Sequence, residues 1–177
     1  MDQEHKLIDI ADAMGIRVML DTQNILHPGD LGGWFPNAHV ILVAKGLGKG
    51  DYLHTLAHEL GHAYHGHDGC YNPRQERQAD RFAAELLIDP LAYKQAENLY
   101  SEHPGAIAAE LGVARHTVMV WREIFERKRY EKVRKTHGRS GHYGDTGGMR
   151  SADPIGTGSN DASGHTRSGG GGRPHYG

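Results

Sequence analysis

Tyr52-Leu53-His54-Thr55-Leu56-Ala57-His58-Glu59-Leu60-Gly61-His62-Ala63-Tyr64 is the stretch that decides how the rest of the chain folds. Leu53, Leu56, Ala57, Leu60 and Ala63 recur at three- and four-residue intervals and mark one face of a helix from Tyr52 to about Gly66. Asp51 stands before it as an N-cap, and Gly46, Gly48 and Gly50 break it from what precedes. His58 and His62 fall about 40° apart around such a helix and one turn along it. Two imidazoles so placed reach one ion at roughly 2.1 Å, which is how an HExxH helix binds zinc. Glu59, offset by about 100° from His58, stands beside the ion, where a base acting on a water must be.

The chain is rich in histidine, with 14. At this composition about 0.06 HExxH matches arise by chance, so context has to support the motif. It does, because the His and Glu lie off the apolar stripe of an amphipathic helix. Zinc needs a third protein ligand and leaves a fourth position for water. The next helix opens at Pro73, a favoured first-turn residue, and Asp89-Pro90 ends it. Ala79, Phe82, Ala83, Leu86 and Leu87 form its apolar stripe. Off that stripe it offers Glu76 as a ligand, with Asp80 one turn later to orient a ligating imidazole. The competing reading makes both residues surface charges in weak ion pairs with Arg74, Arg77 and Arg81. His65 and His67 read as cleft-edge residues or transient metal scavengers, and Cys70 as an incidental loop cysteine. An extended HExxHxxGxxH site is excluded by His65 and Asp68. Two His and one Glu also suit manganese or iron, but Zn2+ is the expected ion.

Outward from this helix pair, Leu7, Ile8, Ala11 and Met14 recur at helical spacing, and Gly15 supplies a stop. Ile16-Arg17-Val18-Met19-Leu20 alternates as a strand does, and His39-Val40-Ile41-Leu42-Val43 is a β-branched run suited to a second. Between them, His27-Pro28-Gly29-Asp30 and Gly32-Gly33 read as loop and turn. Downstream, helices are expected over Leu91 to Tyr100, around Ile107 to Val113, and from about Thr117 to Val133. Residues 134–177 then hold 13 of the 25 glycines and only six apolar residues. Such a segment cannot offset its ordering entropy, so a Gly-rich disordered tail is expected over 134–177, after one folded domain over 1–133.

Bulk properties fit that division. At 177 residues there is room for one core, and the net charge of −2 supplies no basic field to draw the protein onto nucleic acid. Apolar residues make up 37% and mean hydropathy is −0.63, a deficit that the tail explains. No window approaches the ~20 apolar residues needed to span a bilayer, and the N-terminus has no signal-peptide pattern. The single cysteine, Cys70, gives no internal disulfide and fits a reducing compartment. The expected location is the cytoplasm, with no membrane partner.

Thr55-Leu56-Ala57-His58-Glu59-Leu60-Gly61-His62, followed by Glu76-Arg77-Gln78-Ala79-Asp80-Arg81-Phe82-Ala83-Ala84-Glu85-Leu86-Leu87, resembles the ImmA/IrrE family of metallopeptidases. The resemblance covers most of residues 1–125 and is sharpest over 51–90. It implies an α+β fold, mostly helical and zincin-like, with a small antiparallel or mixed β-sheet. It also implies His58, His62 and Glu76 as zinc ligands and Glu59 as general base. Members act as site-specific endopeptidases on transcriptional repressors of phages, mobile elements or stress regulons, so the implied partner is a protein substrate, a helix-turn-helix repressor. One departure is the proline after Leu86-Leu87, displaced here to Ile88-Asp89-Pro90; it leaves the ligands untouched. Tyr64, His65, Tyr71 and Tyr93 are candidates for stabilising an oxyanion.

A second function class also has a sequence basis. Ile107-Ala108-Ala109-Glu110-Leu111-Gly112-Val113, a short turn and Thr117-Val118-Met119-Val120-Trp121-Arg122 read like a helix-turn-helix within the 106–133 helix pair. On that alternative the chain is a DNA-binding regulator with a structural or sensory metal, and Arg115, His116, Thr117 and Arg122 reach the duplex. Glu110, Glu123 and Glu126 oppose it, and structural packing is the favoured use of the pair.

Overall fold

This computed structural model describes residues 2–68, 72–101 and 103–137, with 129–137 as backbone only. The chain runs α1 (Gln3–Ala13), β1 (Arg17–Leu20), β2 (Gly32–Phe35), a 3-10 turn over Pro36–Ala38 and β3 (Val40–Val43). Then come α2 (Lys49–Tyr64), α3 (Pro73–Leu87), α4 (Pro90–Tyr100), α5 (Pro104–Leu111) and α6 (Arg115–His137). This is the mostly helical α+β fold the sequence implies. Its sheet is mixed, in the order β1-β3-β2, with β1 parallel and β2 antiparallel to β3. The last helix continues four residues into the expected tail. The remainder of that tail, from 138 onward, lies outside the described residues, as do Cys70 and Tyr71.

Two local expectations are corrected. Gly32-Gly33 is the first half of β2 rather than a turn. The reason is a close approach, because a Cβ on Gly32 would sit 2.5 Å from Thr55 Cγ2 and 3.2 Å from Glu59 Cγ. Glycine here lets a strand lie directly on the motif helix. Likewise Asp51 is not the cap of α2. The helix starts at Lys49 behind Gly48, and Asp51 falls in the first turn, where a carboxylate suits the positive end of the helix dipole.

Leu53, Leu56 and Leu60 of α2 are fully buried, as the stripe predicts, and pack with Leu7, Ile41, Val43, Ile107 and Val118 in one core. α3 lies along α2 at very short range. A Cβ on Gly61 would meet Ala79 Cα at 2.9 Å, Ala79 O at 3.1 Å and Phe82 Cβ at 3.1 Å. With Ala79, Ala83 and Ala84 also buried, this is a contact between small residues, and it sets how far Glu76 stands from the motif histidines. Asn72 caps α3 by accepting from the Arg74 N–H at 2.9 Å, and Asp89 does the same for α4 through Ala92 N–H at 2.8 Å. Asn72→Ala is expected to lower stability by about 1 kcal/mol, read as a shift of the urea midpoint at unchanged slope.

Candidate metal centre

His58 and His62 project from α2 with their Nε2 atoms 3.0 Å apart. Glu76, in the first turn of α3, faces both, with Oε2 at 3.3 Å from His58 Nε2 and Oε1 at 3.7 Å from His62 Nε2. One atom from each residue lies within 4.8 Å of the others, so the three can hold a metal ion. Tetrahedral zinc with bonds of roughly 2.0–2.1 Å separates its ligand atoms by about 3.3 Å, and the observed separations bracket that value.

Each imidazole is held from behind. His58 Nδ1–H donates to Asp80 Oδ1 at 2.9 Å, which leaves Nε2 turned toward Glu76 and His62. His62 Nδ1 lies 3.0 Å from Nδ1 of His67. His67 is buried behind His62 rather than placed at the cleft edge, so its position differs from the expected one. His65 is exposed at the end of α2 and stacks on His67. The chain's return after Gly66 carries His67 back under the helix, and no periodic signal marks such a turn.

Electrostatics follow from burial and neighbours. Burial, with the nearby His58 and His67, lowers His62 to about 4, and burial lowers His54 to about 4 as well. Both rings are therefore neutral near pH 7, with a lone pair to offer. For His58 burial acts downward, but the Asp80 bond and the charges of Glu59 and Glu76 outweigh it and raise the ring's pKa. Asp80 is held well below the usual carboxylate range: burial opposes this, and bonds from His116 and His58 overcome it. Burial lifts Glu59 to about 7, against the pull of His58 and a hydrogen bond from the Trp34 backbone.

A cleft of about 460 Å3 opens over the centre, lined by His58, Glu59, His62 and Glu76 on one side and by β2 with Ile25, Leu26 and His27 on the other. Asp21 ties that second wall, its carboxylate accepting from the N–H groups of Ile25 at 2.9 Å and Leu26 at 3.1 Å. β2 is an edge strand among the described residues. Ala44 N–H donates to Leu31 O at 2.8 Å, so Gly33 and Phe35 face β3 and the peptide groups of Gly32 and Trp34 turn outward. Trp34 N–H is the one that meets Glu59.

Of the oxyanion candidates, Tyr64, His65 and Tyr93 lie elsewhere, and Tyr71 falls outside the described residues. Tyr93 is buried, donating to Glu97 at 3.2 Å and accepting from Arg122 at 3.0 Å, and neither Tyr64 nor His65 lines the cleft. His27, which sequence reasoning passed over as loop chemistry, does line it. The helix pair α5–α6 packs inward: Val113, Ala114, Val118 and Trp121 are buried. Thr117 is fully buried against His54, and His116 reaches Asp80. Three of the four residues assigned to DNA on the alternative reading, His116, Thr117 and Arg122, are thus engaged in contacts within the molecule.

The family model described as the IrrE N-terminal-like domain, Peptidase M78, matches residues 11–119. A solved Mycobacterium tuberculosis transcriptional regulator is similar at 22% identity with a TM-score of 0.48, over 68% of this chain and 41% of that one. The chain thus spans less than half the length of that protein. No curated protein matches.

Proposed function

Since the chain belongs to the IrrE N-terminal-like M78 family and so carries a metallopeptidase-like domain, we propose that it is a zinc-dependent endopeptidase with Glu59 as its general base. The observation that carries this reading is the convergence of His58, His62 and Glu76 within 4.8 Å, beside a carboxyl buried at the mouth of a cleft. Two imidazoles and a carboxylate at near-tetrahedral spacing fit Zn2+, which would supply Lewis acidity toward a water and a scissile carbonyl.

The chain's own groups supply the rest. An extended peptide can lie along β2, where the outward Gly32 N–H and the outward carbonyls of Gly32 and Trp34 offer strand-type hydrogen bonds, the Trp34 N–H being taken by Glu59. Asp80 and His67 fix the two imidazoles, so that neither ring has to reorient during turnover. Glu59 takes the proton from the attacking water on its carboxylate and gives it to the departing amine. A pKa near 7 suits a group that must both accept and release a proton at neutral pH.

The substrate is read as a folded regulatory protein, a helix-turn-helix repressor, on the strength of the family resemblance, with no direct contact to nucleic acid. No described helix is long and apolar enough to cross a membrane.

Elemental analysis tests the centre. Wild type dialysed against metal-free buffer should retain about one zinc per chain, and His58→Ala and Glu76→Gln should each lose it. A folded wild type that keeps no metal overturns the reading. Loss in His58→Ala alone would remove Glu76 from the ligand set.

A further inference from the structure

Asp80 serves more than His58. On its other side stand His54 of α2 and His116 at the start of α6, and the three residues offer ligand atoms within 4.8 Å of one another. His116 Nε2 lies 3.3 Å from Asp80 Oδ2, and His54 Nε2 lies 3.8 Å from Oδ1. The second distance is too long for a hydrogen bond but close to the separation of two ligands on one ion, about 3.3 Å for tetrahedral zinc. His54 Nδ1 is 3.0 Å from the hydroxyl of Thr117, a fully buried partner that fixes the ring and points Nε2 at the carboxylate. The His54 and His116 rings meet edge-on with centroids 5.0 Å apart.

We propose that His54, Asp80 and His116 form a second divalent-cation site, suited to zinc, which shares Asp80 with the His58–His62–Glu76 centre. Two imidazoles, borderline donors, and one harder carboxylate oxygen form a set that zinc takes, and they come from three helices, α2, α3 and α6. The carboxylate spans both sites, with Oδ1 accepting from His58 and lying 3.8 Å from His54, and Oδ2 turned to His116. A cleft of about 290 Å3, lined by His54, Asp80, His58 and Glu59, gives water access to complete the coordination shell. The site is the weaker of the two, because His116 is more than half exposed and Asp80 is already engaged. A plain ion pair between His116 and Asp80 would explain one distance, but not the orientation of His54 by Thr117.

The shared carboxylate couples the sites. A cation on Oδ2 withdraws electron density from the group that orients His58, so excess zinc should weaken the first centre's hold and slow turnover. This coupling rests on the proposed function; the second site itself does not.

The test is equilibrium dialysis of the full chain against Zn2+, with Co2+ absorption spectra in parallel. Wild type should take up a second, weaker equivalent. His116→Ala, a change at an exposed position, and His54→Gln should each weaken that equivalent at least about tenfold while retaining the tight one. His58→Ala should show the reverse. If both His116→Ala and His54→Gln bind the second equivalent as wild type does, its ligands are other histidines and the proposal falls. If wild type saturates at one, it falls as well. Neither result touches the first centre, whose failure would show in His58→Ala.

Discussion

Glu59→Gln should leave the protein folded and zinc-loaded while lowering peptide hydrolysis by about 10²- to 10⁴-fold, the usual contribution of a positioned general base. The amide keeps the size and shape of the carboxyl and can still meet the Trp34 backbone, so the cleft is unchanged. What it loses is the capacity to take a proton. Metal content and hydrolysis measured on the same preparation separate the two effects. Metal lost together with activity would show that Glu59 supports the site structurally, and activity retained would remove it as the base. A stability measurement adds an independent check. Burial raises the Glu59 pKa to about 7, so between its ordinary range and that value the folded protein binds more protons than the unfolded chain. Its metal-free stability contribution therefore declines as pH rises through that window. Glutamine has no charge to desolvate, so metal-free Glu59→Gln should be more stable than metal-free wild type above pH 7.

Gly61→Val should prevent the α2–α3 contact from closing and remove zinc binding with it. Two opposing terms decide such a change. Glycine within a helix costs roughly 0.8–1 kcal/mol relative to alanine, so any side chain gains something in propensity. Against this, the first added carbon would lie 2.9 Å from Ala79 Cα and 3.1 Å from Ala79 O. Those are backbone atoms, which yield only if α3 moves as a whole. Overpacking by about 1–3 kcal/mol makes Gly61→Ala neutral to mildly destabilising, whereas Val adds two more carbons and forfeits most of the propensity gain. A loss of about 3 kcal/mol or more is expected for Val, measured by denaturant unfolding of the metal-free proteins. Displacing α3 also carries Glu76 away from His58 and His62, so any folded fraction should hold zinc poorly. Wild-type stability and zinc content in Gly61→Val would show that the close approach is dispensable.

What could be read in the sequence is what lies within one helix. His58, Glu59 and His62 share a periodic segment, as do Glu76 and Asp80, and their mutual placement follows from 3.6 residues per turn. That α3 would face α2 with Glu76 toward the histidines was suggested by the apolar stripe, which fixes the polar face by exclusion. In the sequence His67 reads as a cleft-edge residue rather than one behind His62, and His54 and His116 do not read as neighbours of the centre. The place of His67 depends on a tight return after Gly66 and that of His116 on how α6 packs against α3, neither of which leaves a local pattern. β2 escaped for another reason. Gly32-Gly33 carries the composition of a turn, and only the approach of Thr55 and Glu59 explains why glycine occupies a strand. The helix pair over 106–133 had the look of a reader of DNA because short apolar helices joined by a turn serve packing and recognition alike. Burial of Thr117 and Val118 distinguishes the uses where the pattern does not.

The strand that walls the cleft carries a hazard as well as a use. An open β-edge accepts any extended chain of suitable length, including a second copy of the same protein, and so is a point where self-association begins. Here that tendency is curbed by length. β2 has four residues, Pro36 follows it at once, and only Gly32 and Trp34 turn their peptide groups outward. On the proposed function so short a stretch can still register a peptide beside Glu59, but it is too short to template a growing sheet. On that same function, a longer edge would grip its peptide more tightly and release products more slowly, so the brevity of β2 both limits self-pairing and suits turnover.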